Sequence, residues 1–172
     1  MIGGPEKRDI VIANYDPLWP ELFRKHATTI TKALGADALA IDHVGSTSVP
    51  GLAAKPIIDI NLTVENSAEE SSYLPALVSA GYVLRVREPD WHEHRMLRTR
   101  EKDVHIHVYS RGCIELHRML AFREWLRGND EDRMLYETTK RLLAKEDWPD
   151  MNAYAQAKSE VVAQIMARAL PG

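Results

Sequence analysis

The chain has 172 residues, with 22 Lys and Arg against 25 Asp and Glu and a formal net charge of −3. Its 45% hydrophobic and 27% charged content fits one globular domain over residues 1–172 and excludes collagen-like, disordered and coiled-coil chains. The near-neutral balance gives no global grip on duplex nucleic acid or an anionic membrane. A single cysteine, Cys113, excludes an intramolecular disulfide and a zinc ribbon.

Met1 to Asp9 carries Glu6, Lys7 and Arg8 without an apolar stretch, so it does not read as a signal peptide, and no apolar run reaches the ~20 residues of a membrane span. A cytoplasmic protein is expected. Ile10 to Ala13 is a candidate edge strand. Asp16-Pro17 offers an N-cap and a first-turn proline. Leu18, Leu22, Phe23, His26, Ile30 and Leu34 then follow at helical spacing up to Gly35. Ala38 to Val44 and Ile57 to Val64 read as strands on either side of a Gly- and Pro-bounded turn. The second strand alternates, with Ile58, Ile60 and Leu62 on one face and Asp59 and Asn61 on the other. A helix over Ala68 to Ala80 stops at Gly81. Strands follow at Tyr82 to Val86, His94 to Thr99 and Val104 to Tyr109. From Cys113 the pattern turns helical. One helix ends at Gly128-Asn129, a second starts at Asp130 or Asp132, and a last is capped by Asp150. The whole predicts an α+β fold, mixed over about 1–112 and helical over about 113–172.

The densest chemical signal runs from Gly45 to Asp59. Gly45, Ser46, Thr47 and Ser48 make a small, hydroxyl-rich turn whose backbone N–H groups can form a nest for phosphate oxygens, and an ordinary interstrand turn fits it equally well. The turn lacks the Gly-Lys-Ser/Thr ending of a Walker loop. Asp59 lies among Ile57, Ile58, Ile60 and Leu62, where a buried carboxylate needs a metal ion, a polar ligand or a structural hydrogen bond. Lys55 is near enough to meet a phosphate. Arg98 and its strand neighbours offer a basic wall or a solvated face.

Four of the seven histidines form alternating pairs, His92-x-His94 and His105-x-His107. With a hairpin turn centred on Glu101-Lys102, Arg98 falls opposite His105 and Met96 opposite His107, and the two pairs share a face. Asp59, His105 and His107 together would suit Zn²⁺, Mn²⁺ or Fe²⁺; hydrogen bonding inside a cleft is the alternative. His43 reads as a residue that orients the turn or Asp59. Glu115 reads either as a completing residue of a metal or substrate site or, more simply, as a helix pair with Arg118, and Cys113 as a helix start.

A Gly-Ser turn followed by an acid on the next strand resembles the nucleotidyltransferase superfamily, in which the turn holds phosphate and an Asp-x-Asp pair binds divalent metal. The run Ile41-Asp42-His43-Val44-Gly45-Ser46-Thr47-Ser48-Val49-Pro50-Gly51-Leu52-Ala53-Ala54-Lys55-Pro56-Ile57-Ile58-Asp59-Ile60 is very similar to the signature of the GrpB family within that superfamily. Tyr15-Asp16-Pro17 with Trp19-Pro20, His105-Ile106-His107-Val108, Phe122-Arg123, Leu126-Arg127 and the Tyr154/Lys158 pair extend the resemblance along nearly the whole chain. It implies a nucleotidyltransferase-like mixed sheet with helices on one side. Taken with the residues read above, the expectation is phosphate or nucleotide binding by Gly45, Ser46, Thr47, Ser48, Lys55 and Arg98, and catalysis by Asp59, His105 and His107. A divalent metal (Mg²⁺, Mn²⁺ or Zn²⁺) would be held by Asp59, Asn61, His105 and His107. The reaction implied is transfer of a nucleotidyl or phosphoryl group to a small acceptor. The second acid of the superfamily pair is Asn61 here, which adds no charge to a metal site. An inactive nucleotide- or anion-binding accessory module therefore stands beside the transferase reading. Some relatives are fused to dephospho-coenzyme A kinase, so coenzyme A metabolism is a setting for such a partner. A metal-dependent enzyme using the His pairs for other chemistry is a third reading.

Overall fold

A computed structural model describes every residue except Met1, Gly3, Pro5, Arg8 and Gly172, so part of the Met1–Asp9 stretch lies outside the described residues. Helix α1 (Trp19–Leu34) opens with Pro20 in its first turn, where a missing N–H leaves no hydrogen bond unmade. Asp16 sits before the cap and accepts the Leu18 N–H through Oδ1 at 2.9 Å. Gly35, at φ 56°, ends the helix. The remaining elements are β1 (Ala40–Val44), β2 (Ile58–Val64), α2 (Leu74–Ser79), β3 (Val83–Glu88), β4 (His94–Arg98), β5 (Val104–Ser110), α3 (Ile114–Gly128), α4 (Asp130–Leu143), α5 (Met151–Ala157) and α6 (Ser159–Ala169).

The five strands form one sheet in the order β1-β2-β5-β4-β3. β2 and β5 are parallel and the other neighbours antiparallel, the mixed sheet expected. Period-two alternation divides the sheet. Ile58, Ile60, Leu62, Leu97, Val104, Ile106 and Val108 face Ile30 and Leu34 of α1, Leu77 of α2 and Tyr73. Removing an Ile or Val of this set from water stabilises by about 1.5–3 kcal/mol each. The opposite face carries Asp59, Asn61, His105, His107, Met96 and Arg98 in register. A second apolar cluster joins Leu126 of α3, Tyr136 of α4 and Val161 and Ile165 of α6 to Val49 and Leu52 of the turn, so the C-terminal helices grip the turn that faces the site. No helix among the described residues is long and apolar enough to cross a membrane.

Several elements differ from expectation. Ile10 to Ala13 pairs only through an isolated bridge between Ala13 and Ala54. The Ala68–Ala80 helix is reduced to a 3₁₀ turn (Glu70–Ser72) and the short α2, because Tyr73 leaves helical geometry at φ −137° to donate its hydroxyl to Ser67 O. The last helix is capped by Asp150 as predicted but splits at Lys158 into α5 and α6. His92 lies outside β4, in a turn at φ 55°.

Candidate functional site

Strand register brings the acid and the imidazoles together. Asp59 pairs with His105 and Asn61 with His107 across the parallel β2–β5 ladder, while Arg98 stands opposite His105 and Met96 opposite His107, as the alternation predicts. Asp59 Oδ1 lies 3.3 Å from His107 Nε2 and 3.5 Å from His105 Nδ1. One donor atom from each of the three residues falls within 4.8 Å of the others. Burial raises the Asp59 carboxyl, and the two imidazoles beside it outweigh that effect, so its pKa lies well below the usual carboxylate range.

The turn meets the same acid. Gly45, at φ 72°, presses against Asp59 so closely that a Cβ there would lie 2.7 Å from Asp59 Oδ2. Inside the turn the Ser48 hydroxyl donates to Gly45 O at 2.5 Å, and Thr47 Oγ1 donates to Ile57 O at 3.1 Å. With its proton so used, Thr47 Oγ1 accepts from His43 Nε2 at 3.0 Å. His43 thus orients the turn, as expected. It is stacked on Phe23 with ring centroids 4.9 Å apart, and burial lowers its pKa to about 4.

A cavity of about 220 Å³ runs from this acid to the C-terminal helices. Gly45, Ser46, Thr47, Lys55, Asp59 and His105 line one part, and Tyr136, Lys140, Tyr154 and Lys158 the other. Lys140, which sequence reasoning missed, is buried; its ammonium donates to Ser46 Oγ at 2.9 Å and Ala53 O at 2.5 Å and lies 4.6 Å from the Tyr136 ring centre. Burial, reinforced by the Lys158 charge, pulls its pKa down to about 7. The Tyr154 ring has Lys55 and Lys158 each 4.9 Å from its centre. The available signal was a lysine placed four residues after Tyr136 and eight after Asp132, on the stripe that α4 buries.

Other candidates lie elsewhere. Arg98 is on the site face beside His105, but its guanidinium takes both Glu6 carboxylate oxygens at 2.8 and 2.9 Å, and it does not line the cavity. Ser48 also lies outside the lining; its carbonyl is held by Arg127. Glu115 pairs with Arg118 at 3.6 Å, and Cys113 is the N-cap residue of α3. Asn61 is fully buried with its amide NH₂ turned to Met119 Sδ at 3.2 Å, and its Oδ1 has no hydrogen bond among the described residues.

The donor set decides which metal fits. One carboxylate and two imidazoles suit a borderline ion such as Zn²⁺ or Mn²⁺. A pair of Mg²⁺ ions needs more carboxylate oxygen than Asp59 with a neutral Asn61 supplies.

The family profile described as GrpB protein matches residues 9–168. A UPF0157 protein of Halalkalibacterium halodurans is 52% identical over 96% of this chain and 85% of its own length. A dephospho-CoA kinase of Mycolicibacterium paratuberculosis is 29% identical over 83% of this chain, which spans 42% of that protein. Among solved structures, GrpB from Enterococcus faecalis superposes with a TM-score of 0.84 at 33% identity, covering 94% of this chain and 98% of that one. Cid1, in complex with its short product ApU, superposes with a TM-score of 0.55 at 15% identity over 78% of this chain and 43% of its own, a likeness of fold. With the family profile spanning residues 9–168 and the Enterococcus faecalis structure superposing over nearly the whole chain, this protein belongs to the GrpB family.

Proposed function

We propose that this chain binds a nucleotide or related phosphate ester and transfers a nucleotidyl or phosphoryl group from it to a small acceptor in the cytoplasm, with a divalent metal at Asp59, His105 and His107. The observation that carries this reading is the shape of one cavity. Its acid–imidazole end, at Asp59 and His105, and its lysine end are joined by Gly45, Ser46 and Thr47 of the turn. A polyphosphate laid along it would meet Ser46, the turn and the ammonium groups of Lys55, Lys140 and Lys158, and a metal held by Asp59, His105 and His107 would supply positive charge for the phosphate oxygens. Lys140 sharpens the argument. A buried ammonium is costly unless an anion completes its surroundings; its hydrogen bonds go to two neutral oxygens, and Glu137, the nearby carboxylate that favours its charge, is shared with Arg141 and the Ala53 N–H.

Thermal shift with ATP, GTP, CTP and UTP, each with Mg²⁺, Mn²⁺ or Zn²⁺, tests the binding step. A ligand at 100 times its Kd adds about 2.7 kcal/mol, a rise of roughly 5–11 °C for a chain of this size. Release of pyrophosphate or a nucleoside diphosphate then tests transfer. A melting point that no nucleotide moves under any metal refutes the reading. Asn61 in place of a second acid favours one other reading, an accessory module that binds the nucleotide without turning it over, for instance beside an enzyme of coenzyme A metabolism. Nucleotide binding without product release selects it.

A further inference from the structure

A second cavity, of about 300 Å³, opens at the β1 edge of the sheet and shares no lining residue with the first. Three stretches far apart in the chain build it. The α1 region supplies Tyr15, Phe23 and Arg24, β1 supplies Asp42, and α3 supplies Arg123 and Arg127, one helical turn apart on a common face. The charge of the arginines is only partly answered. Arg123 donates to His43 O at 2.8 Å, and Arg127 donates twice to Ser48 O, at 2.8 and 3.1 Å, both neutral carbonyls. The exposed Glu124 serves both as counter-ion, at 2.8 and 3.0 Å. The Arg24 guanidinium makes no hydrogen bond or ion pair among the described residues. Asp42 is the one carboxylate in the lining, so three guanidinium groups against Asp42 and a shared Glu124 leave the cavity net positive. Its apolar wall is held in place as well. Tyr15 meets Trp19 edge-on, with centroids 5.4 Å apart, and Phe23 lies stacked on His43.

We infer that this cavity is a separate binding site for a small organic anion, a phosphate monoester or carboxylate whose apolar body lies against Tyr15 and Phe23. The planar fork of a guanidinium matches two oxygens of either group at once. Each guanidinium carries five N–H donors, so Arg24, Arg123 and Arg127 together keep most of theirs for such an acceptor. Arg123 and Arg127 are already fixed by their bonds to β1 and the turn, so they lose little side-chain freedom on binding. Asp42 adds an acceptor for a hydroxyl or ammonium group on the same molecule. The volume stands at the small end of ligand pockets, which span about 300–1,000 Å³, and so suits a single ring or a short chain. Clamping the turn accounts for Arg123 and Arg127, but it does not account for Arg24. The site rests on none of the transferase reading, since the two cavities have no residue in common.

Nitrogen-15 NMR of the arginine side chains of the full chain, titrated with phenyl phosphate and separately with benzoate, tests the site. The Arg24, Arg123 and Arg127 signals are expected to shift and saturate together with at least one probe. A tighter response to phenyl phosphate assigns a phosphate ester, and a tighter response to benzoate assigns a carboxylate. Arginine signals that neither probe moves overturn the inference. Because phenyl phosphate also suits the lysines of the first cavity, the titration is repeated in Lys140→Met. The arginine shifts should persist there with the same affinity, and their disappearance overturns the inference. Arg24 is exposed and its side chain holds no other group, so Arg24→Glu should melt like wild type. It is expected to weaken the preferred probe about 5-fold or more, through loss of one exposed ion pair and repulsion in its place. Arg127→Lys, which keeps the charge and loses the fork, should weaken it as well. Unchanged affinity in both variants overturns the inference, and leaves the nucleotide test of the first cavity untouched.

Discussion

Replacing Gly45 with alanine puts a methyl group where the structure has no room and the backbone no tolerance. At φ 72° and ψ −176° the residue occupies a region that is essentially glycine-only, so an L side chain there costs about 1–3 kcal/mol. The added Cβ also meets Asp59 Oδ2 at 2.7 Å, with the Asp59 Cβ and Cγ at 3.2 and 3.3 Å, so relief requires that the acid move. Melting should fall by roughly 2–4 °C for each kcal/mol in a chain of this length, and nucleotide and metal binding should fall with it. Gly51→Ala is the control. Gly51 also has a positive φ, 79°, but nothing lies within 4 Å of its Cβ position, so it measures backbone strain without contact with the site. Scanning calorimetry gives the stability of both variants, and calorimetric titration gives Mn²⁺ or Zn²⁺ affinity. Equal melting points for the two variants, with Gly45→Ala binding metal like wild type, would refute the proposed contact between turn and acid.

Lys140 gives the chain a signature at alkaline pH. Its folded pKa, near 7, lies below the unfolded value of 10.5, so between these limits the unfolded state binds more protons and stability rises with pH. The slope from this group reaches at most about 1.4 kcal/mol per pH unit, and melting curves of Lys140→Met from pH 7 to 10 should lack it. Glu6 acts at the acid end. Its hydrogen bond from Arg98 outweighs burial and lowers its pKa from 4.5 to about 2, so the stability it adds above pH 4.5 is lost as pH falls toward 2. Glu6→Gln should flatten the acid limb of the melting profile. Thr47→Val leaves the buried His43 Nε2–H and Ile57 O without their shared hydroxyl. It should cost about 1–3 kcal/mol, read by urea unfolding, with Thr47→Ser restoring most of it.

What the sequence could convey follows the range of the physics involved. The pairing of Arg98 with His105 and Met96 with His107 was readable because strand alternation has period two and the charged Arg100–Asp103 turn centres the hairpin. The approach of Gly45 to Asp59 was readable as a strand–turn–strand unit. The lysine end of the cavity was legible only as the i,i+4 pair Tyr154/Lys158, since Lys140 reaches Ser46 and Lys55 reaches Tyr154 only after the C-terminal helices pack back on the turn, and no local periodicity encodes that docking. Arg98 was misplaced for the same reason. Its partner, Glu6, stands 92 residues earlier in the chain. β3 is bulged between Leu84 and Val86, and Arg85 lies toward Glu6 while Arg87 pairs with Glu70. His94 was read as one more imidazole on the face, whereas its neighbours make it a link between Glu88 and His107.

The most direct measurement is nucleoside triphosphate affinity by isothermal calorimetry, with and without Mn²⁺, in wild type and in the His105→Ala/His107→Ala double variant. A metal at the imidazoles and a phosphate chain on the lysines predict that Mn²⁺ tightens binding in wild type and does nothing in the variant. Nucleotide affinity that ignores Mn²⁺, or that responds to it equally in both proteins, would contradict the account.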